Sequence, residues 1–140
     1  MAPHLHRYLY RVPLYEVDIG QAVYHGNYYH FFEQAREALL RDAGFSYARL
    51  MEQRLHLAVV EALCRYRQPV RYDDDLEILT RIPVIKSRSV QFHQQLILTA
   101  TGKLATEATI TTVCITFEGK PVPLPEEFRA ALAQWQGRDS

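Results

Sequence analysis

The chain has almost no cysteine: its 140 residues include Cys64 and Cys114 alone, too few for a disulfide framework or a zinc knuckle. It has no net charge either, since 16 Lys and Arg balance 16 Asp and Glu, which argues against a nucleic-acid partner held by bulk electrostatics. No apolar run approaches the ~20 residues that cross a bilayer, and the opening MAPHLHRYLYR lacks the apolar stretch of a secretory signal. Repeats, low-complexity tracts and Gly/Ser linkers are missing too. Metal-ligand spacing is not found: His4 and His6 have no third ligand nearby, and His25 with His30 lack the i, i+4 spacing of a metalloprotease helix. There is no G-x-S-x-G elbow and no Walker loop. These absences leave one domain over residues 1–140, expected in the cytoplasm, without nucleic acid, metal or membrane span. Such a chain buries roughly 68% of the surface it exposes when unfolded, and 48% of its residues are apolar, so it can build a core without staples.

The pattern of what is present is simple. His6 to Tyr15 reads as a strand, with Pro13 weakening its end. Glu16 to Gly26 is rich in turn residues, and Asn27 is the expected N-cap of a helix. Tyr28, Phe31, Phe32, Ala35, Ala38 and Leu39 then recur at helical spacing, opposite Glu33, Arg36, Glu37 and Arg41. Gly44 supplies a left-handed stop, and Phe45 can fold back onto the helix. A short helix is expected over Tyr47 to Gln53. From Leu55 the period changes to two, giving strands at Ala58–Arg67, Leu76–Ile82, Val90–Leu98 and Leu104–Phe117 with short, antiparallel connections. Pro125 opens a last helix, Glu126 to Gln134. One apolar helix and a long antiparallel sheet form an α+β arrangement in which the sheet wraps the helix. Self-association would cover the edges and open face of such a sheet.

The stretch richest in chemistry is Tyr15-Glu16-Val17-Asp18-Ile19-Gly20-Gln21-Ala22-Val23-Tyr24-His25-Gly26-Asn27-Tyr28. Its loop can fold back so that Asp18 lies near the helix N-terminus, where unpaired N–H groups and the positive dipole end can polarise a carbonyl. A carboxylate there could serve as nucleophile or general base in acyl transfer. On residue type alone, an Asp in a loop more often caps its own turn.

The same stretch resembles the signature of the hotdog-fold acyl-CoA thioesterases, of the 4-hydroxybenzoyl-CoA thioesterase and YbgC type, which reads approximately D-x-x-G-x-V-[YW]-[HFY]-x-N-Y. The matching residues are Asp18, Val23, Tyr24, His25, Asn27 and Tyr28. Phe31-Phe32-Glu33-Gln34-Ala35-Arg36 is similar to the family's F-[FL]-E-x-A-R run, and Tyr72-Asp73-Asp74-Asp75-Leu76-Glu77-Ile78 to its strand-linking turn. The similarity runs over roughly residues 7 to 128 in one register. One departure is that the family often has Gly three residues after the acid, where this chain has Gln21.

The resemblance implies a hotdog fold, a homodimer or homotetramer with sites at the subunit interface, and hydrolysis of a CoA thioester without a separate cofactor, coenzyme A being part of the substrate. It implies Asp18 as the catalytic carboxylate and the His25 backbone N–H as the group that polarises the thioester carbonyl. The His25 side chain could orient a water, donate to the leaving thiolate, or be present only for its amide and packing. Tyr24, Asn27 and Tyr28 are expected at the substrate, with Tyr24 as pocket wall and Asn27 as cap. The turn Lys86-Ser87-Arg88-Ser89 is where the family often contacts the nucleotide, so Lys86, Arg88 and Ser89 are expected to pair with CoA phosphates by charge-assisted bonds. Glu61, on an apolar strand, and Glu33 or Glu37, on the helix, are further candidate acids that a solvent-facing position explains equally well. Cys64 and Cys114 read as structural thiols. The competing readings are a non-catalytic acyl-CoA or lipid-binding hotdog module and, more remotely, a hotdog dehydratase.

Overall fold

The computed structural model describes residues 5–18 and 20–136. Strand β1 (His6–Arg11) leads through a 3₁₀ turn at Leu14–Glu16 and another at His25–Asn27 into helix α1 (Tyr28–Asp42). Helix α2 (Tyr47–Glu52) follows, then β2 (Leu55–Tyr66), β3 (Asp75–Ile85), β4 (Ser89–Leu98), β5 (Lys103–Thr116) and helix α3 (Glu126–Ala133). All five strands form one antiparallel sheet in the order β1-β3-β4-β5-β2. This is the hotdog arrangement that the resemblance implies.

α1 lies against the concave face because its apolar residues share one side. Tyr28, Phe31, Phe32, Ala35, Leu39 and Leu40 are buried. They meet Ile78, Ile82, Phe92, Leu96, Ala108 and Ile110 from the inward-facing positions of β3, β4 and β5. Each fully buried Phe or Leu contributes about 1.5–3 kcal/mol relative to an exposed one. The helix stops as its sequence requires: Gly44 takes φ +88°, and the Phe45 N–H donates to the Leu40 carbonyl at 3.1 Å. Phe45 then packs on Phe128 of α3, with ring centroids 4.9 Å apart. His6 clasps the other side. Its Nε2 is 2.6 Å from Asp42 Oδ2 at the end of α1, and its ring meets Trp135 edge-on at 5.1 Å.

The first strand is shorter than the sequence suggested. Its ladder ends at Arg11, because Pro13 has no N–H to donate and the chain turns there into the 3₁₀ segment. The two sheet edges differ. β1 is short and carries Arg7 and Arg11. β2 is twelve residues long and has Val59, Val60, Leu63 and Tyr66 exposed. Neither face of its middle is covered, since α1 sits over the strands beyond it.

One polar network crosses this core. Gln94, fully buried on β4, donates from Nε2 to the Phe32 carbonyl and to Thr80 Oγ1, both at 3.0 Å. Its Oε1 accepts from Arg36 NH1 at 3.0 Å. Burial pushes the Arg36 pKa down, and Glu33 and Glu37 beside it partly oppose that shift. Gln94→Leu leaves the guanidinium and the Thr80 hydroxyl without this partner. It should cost about 2–3 kcal/mol, read as a lower urea midpoint with an unchanged m-value.

Candidate functional site

The chain between β1 and α1 folds into a tight hairpin. Val17 and Val23 pair across it, the Asp18 N–H donates to the Ala22 carbonyl at 3.1 Å, and the Gln21 N–H donates to the Asp18 carbonyl at 2.9 Å. Ile19 lies outside the described residues. The returning limb is fastened to the body: the Val23 N–H donates to the Val70 carbonyl at 2.7 Å, and Ala22 pairs with Arg71. Asp18 therefore stands at the hairpin base, opposite the segment that runs straight into the helix.

Gln21 sits at φ +65°. It adopts the left-handed conformation that glycine favours, at the position where the resembled family often has glycine, so the turn persists without it. Asp18 is exposed, and its Oδ1 accepts the Gly20 N–H at 2.9 Å. The exposed carboxylate thus caps its own turn.

The helix start is built in two stages. Tyr24, extended, precedes the 3₁₀ turn His25–Asn27, and α1 continues directly from it. The amides of His25 and Gly26 stand at the open end, where helical N–H groups lack an acceptor within the helix. Tyr66, which the sequence did not single out, braces this turn from β2. Its hydroxyl donates to the His25 carbonyl at 2.9 Å, and its ring packs on those of His25 and Tyr28 at 4.9 and 5.1 Å. Burial, then Cys64 and Tyr29, push the Tyr66 pKa up, so the phenol remains a donor. His25, Tyr28, Tyr66 and Arg67 line a cleft of about 280 Å³ beside the hairpin.

Among the expected site residues, Tyr24 and His25 are exposed here, while Tyr28 is buried with its hydroxyl accepting the Val70 N–H at 3.2 Å. Burial raises the Tyr28 pKa. Asn27 is not the helix cap. Its backbone is already helical (φ −76°, ψ −16°), and its side chain makes no cap bond, because the preceding 3₁₀ turn supplies the helix entry. Its Nδ2 donates instead to the Glu16 carbonyl at 3.0 Å. Glu16 belongs by sequence to a turn-rich stretch, yet its carboxylate is buried against His30.

Lys86, Arg88 and Ser89 are not brought to this cleft within one protomer. They join the far ends of β3 and β4, and β3 alone spans eleven residues, roughly 35 Å of extended chain. Glu61 and Glu33 are exposed, and Glu37 lies 4.0 Å from Arg41. Among the described residues no group of three or more His, Cys, Asp or Glu could hold a metal. Between α1 and β2 run two adjoining cavities of about 280 and 330 Å³ that share Glu33, Arg36 and Val59. Tyr29 and His30 line the end nearer the helix start.

Residues 12–132 match the family described as the thioesterase-like superfamily. The chain is 37% identical over 131 residues to the acyl-CoA thioester hydrolase YbgC of Escherichia coli O6:H1, covering 93% of this chain and 97% of that one. A crystal structure of a hypothetical protein from Aquifex aeolicus superposes with TM-score 0.84 at 28% identity, over 90% of this chain and 98% of that one. That of a gentisyl-coenzyme A thioesterase does so with TM-score 0.82 at 25% identity, over the same shares.

The left-handed Gln21 generates a test of the hairpin. Gln21→Gly removes a Cβ clash at the cost of a freer unfolded chain. A net gain of about 0.5–1 kcal/mol is expected in urea unfolding, and a loss would show that the turn is formed differently.

Proposed function

The chain belongs to the thioesterase-like superfamily, and on that premise we propose that it hydrolyses an acyl-CoA thioester to the free acid and CoA, with Asp18 as the reacting carboxylate. The observation that carries this reading is the hairpin that fastens Asp18 opposite the segment leading into α1. The thioester carbonyl is received at the His25–Asn27 turn, where the N–H groups and the helix dipole favour the oxygen as it becomes negative. Asp18 either attacks the carbonyl carbon, expelling CoA thiolate and leaving an anhydride that water opens, or takes a proton from the water that attacks. Both routes balance as thioester plus water to acid plus thiol, without a cofactor. The acyl group has room in the groove between α1 and β2. Two free thiols, Cys64 and Cys114, suit a reducing compartment, and we place the protein in the cytoplasm. No helix among the described residues is long and apolar enough to cross a membrane.

The working unit in this reading is a homodimer formed through β2. A long, apolar, unpaired edge strand is an invitation to pair, and a two-fold axis would join the two β2 edges antiparallel. That reversal carries the partner's 86–89 turn to the end of the sheet where Asp18 lies. Lys86, Arg88 and Ser89 could then meet the CoA phosphates from across the interface. Tyr24, Asn27 and Tyr28 shape the acyl end, and the His25 ring stands beside the leaving sulfur.

One observation favours the alternative of a non-catalytic acyl-CoA-binding module: Asp18 Oδ1 already caps its own turn. Asp18→Asn separates the two readings cleanly, because an amide oxygen can still accept the Gly20 N–H while the charge is gone. In a thiol-release assay over a panel of acyl-CoAs, this variant should fold and bind but lose at least ~100-fold in kcat. Turnover near wild type would remove Asp18 from the mechanism. For the interface, Val60→Lys with Leu63→Lys should reduce the particle to a single protomer in light scattering and raise the KM for acyl-CoA. A wild-type protein that is already monomeric would refute the β2 dimer.

A further inference from the structure

Glu16 is the only acidic side chain among the described residues that is buried, at 3% exposure. Its two carboxylate oxygens lie 3.3 and 3.1 Å from His30 Nδ1, and no Lys or Arg pairs with it. A carboxylate only accepts, so Nδ1 carries the proton. The backbone at the same residue is also held, with the Glu16 carbonyl taking the Asn27 amide at 3.0 Å. Residue 16 is thus fastened twice to the first turns of the helix, by Asn27 and by His30. It stands two residues before Asp18, a span of at most ~7 Å.

Beyond residue 16 the outgoing limb is held by Val17, which packs against the core and pairs with Val23, and by the Asp18 N–H bond to the Ala22 carbonyl. The side chains of Asp18, Gly20 and Gln21 are exposed, so the only buried side-chain anchor of this limb that is charged or polar is Glu16. The returning limb is fixed separately, through Val23 and Ala22 to the segment before β3. The Glu16–His30 contact joins a buried carboxylate to an exposed imidazole, and it sits where direction matters.

We propose that Glu16, locked by His30 and Asn27, is a positioning residue that sets the place of the Asp18 carboxylate relative to the amides of the helix start. The inference rests on the reading of Asp18 as the reacting group. A misplacement of about 1 Å can cost on the order of 100-fold in rate, so freeing the outgoing limb affects the chemical step more than the binding of CoA.

The test is steady-state thiol release from one acyl-CoA, with melting curves recorded for each variant. His30→Ala is expected to lower kcat by about 10- to 100-fold; because His30 also lines the groove given to the acyl group, the KM readout is taken from Glu16→Gln, where it should stay within about twofold. His30→Asn should recover most of that loss, because its amide NH₂ can donate to Glu16 in place of Nδ1. Where His30→Ala melts too low to assay, Glu16→Gln replaces it; this variant keeps the shape, weakens the lock, and should lower kcat with KM held. Wild-type kcat in His30→Ala overturns the proposal. So does a His30→Asn variant as slow as His30→Ala, which would make the imidazole itself a proton-transfer group. Asp18→Asn is measured alongside: if it still turns over, the parent reading fails, whereas a dead Asp18→Asn with a fully active His30→Ala defeats the positioning role alone.

Discussion

The constraint from which the remainder of the architecture follows is that a single fifteen-residue helix must satisfy a five-stranded sheet. At 1.5 Å per residue α1 is roughly 22 Å long, and its Phe31, Phe32, Ala35 and Leu39 are fully excluded from water. That contact lies over β3, β4 and β5 and reaches β2 only at its end, where Tyr66 packs on Tyr28. The sheet is therefore well packed through its middle and bare along one edge. The bare edge supplies one wall of the groove beside α1. Core, cavity and uncovered edge thus have one origin.

The hairpin before α1 is a matter of fastening rather than packing. Asp18 is exposed, and an exposed group gains little position from its own neighbours. Its placement comes from bonds made by residues around it: Val23 to Val70, Ala22 to Arg71, Asn27 to Glu16 and Glu16 to His30. Tyr66 does the same for the turn that offers its amides, reaching across from β2 to the His25 carbonyl. Backbone hydrogen bonds and one buried carboxylate do here what a hydrophobic core does elsewhere.

The periodic parts of the chain were legible in its sequence. Ile78, Thr80 and Ile82 on β3, and Val90, Phe92, Gln94 and Leu96 on β4, face inward as alternation requires. Phe31, Phe32, Ala35 and Leu39 mark the buried side of α1 at helical spacing. Gly44 and Phe45 end the helix as their chemistry suggests. Local reading erred where a longer-range arrangement took over. Asn27 has the composition of a cap, but a 3₁₀ turn enters the helix first and frees the amide for Glu16. His6 to Tyr15 has the composition of one strand, but the missing donor at Pro13 ends it early. Partners such as Glu16 with His30, 14 residues apart, and Tyr66 with His25, 41 apart, leave no periodic trace. Asp18 is a candidate because its neighbours follow a familiar spacing, whereas the bonds that hold its hairpin belong to the fold.

The contact of His6 with Trp135 carries a topological meaning. These residues lie near the two ends of the described chain, and a bridge from Ile82 to Gln136 sits beside them. The ladder order β1-β3-β4-β5-β2 does not depend on where the polypeptide is cut. A short linker across this seam, with a new opening in the exposed turn at Thr101–Gly102, would produce a circular permutant that retains every ladder and the Asp18 hairpin. The order in which the residues are synthesised is in that sense separable from the shape they make.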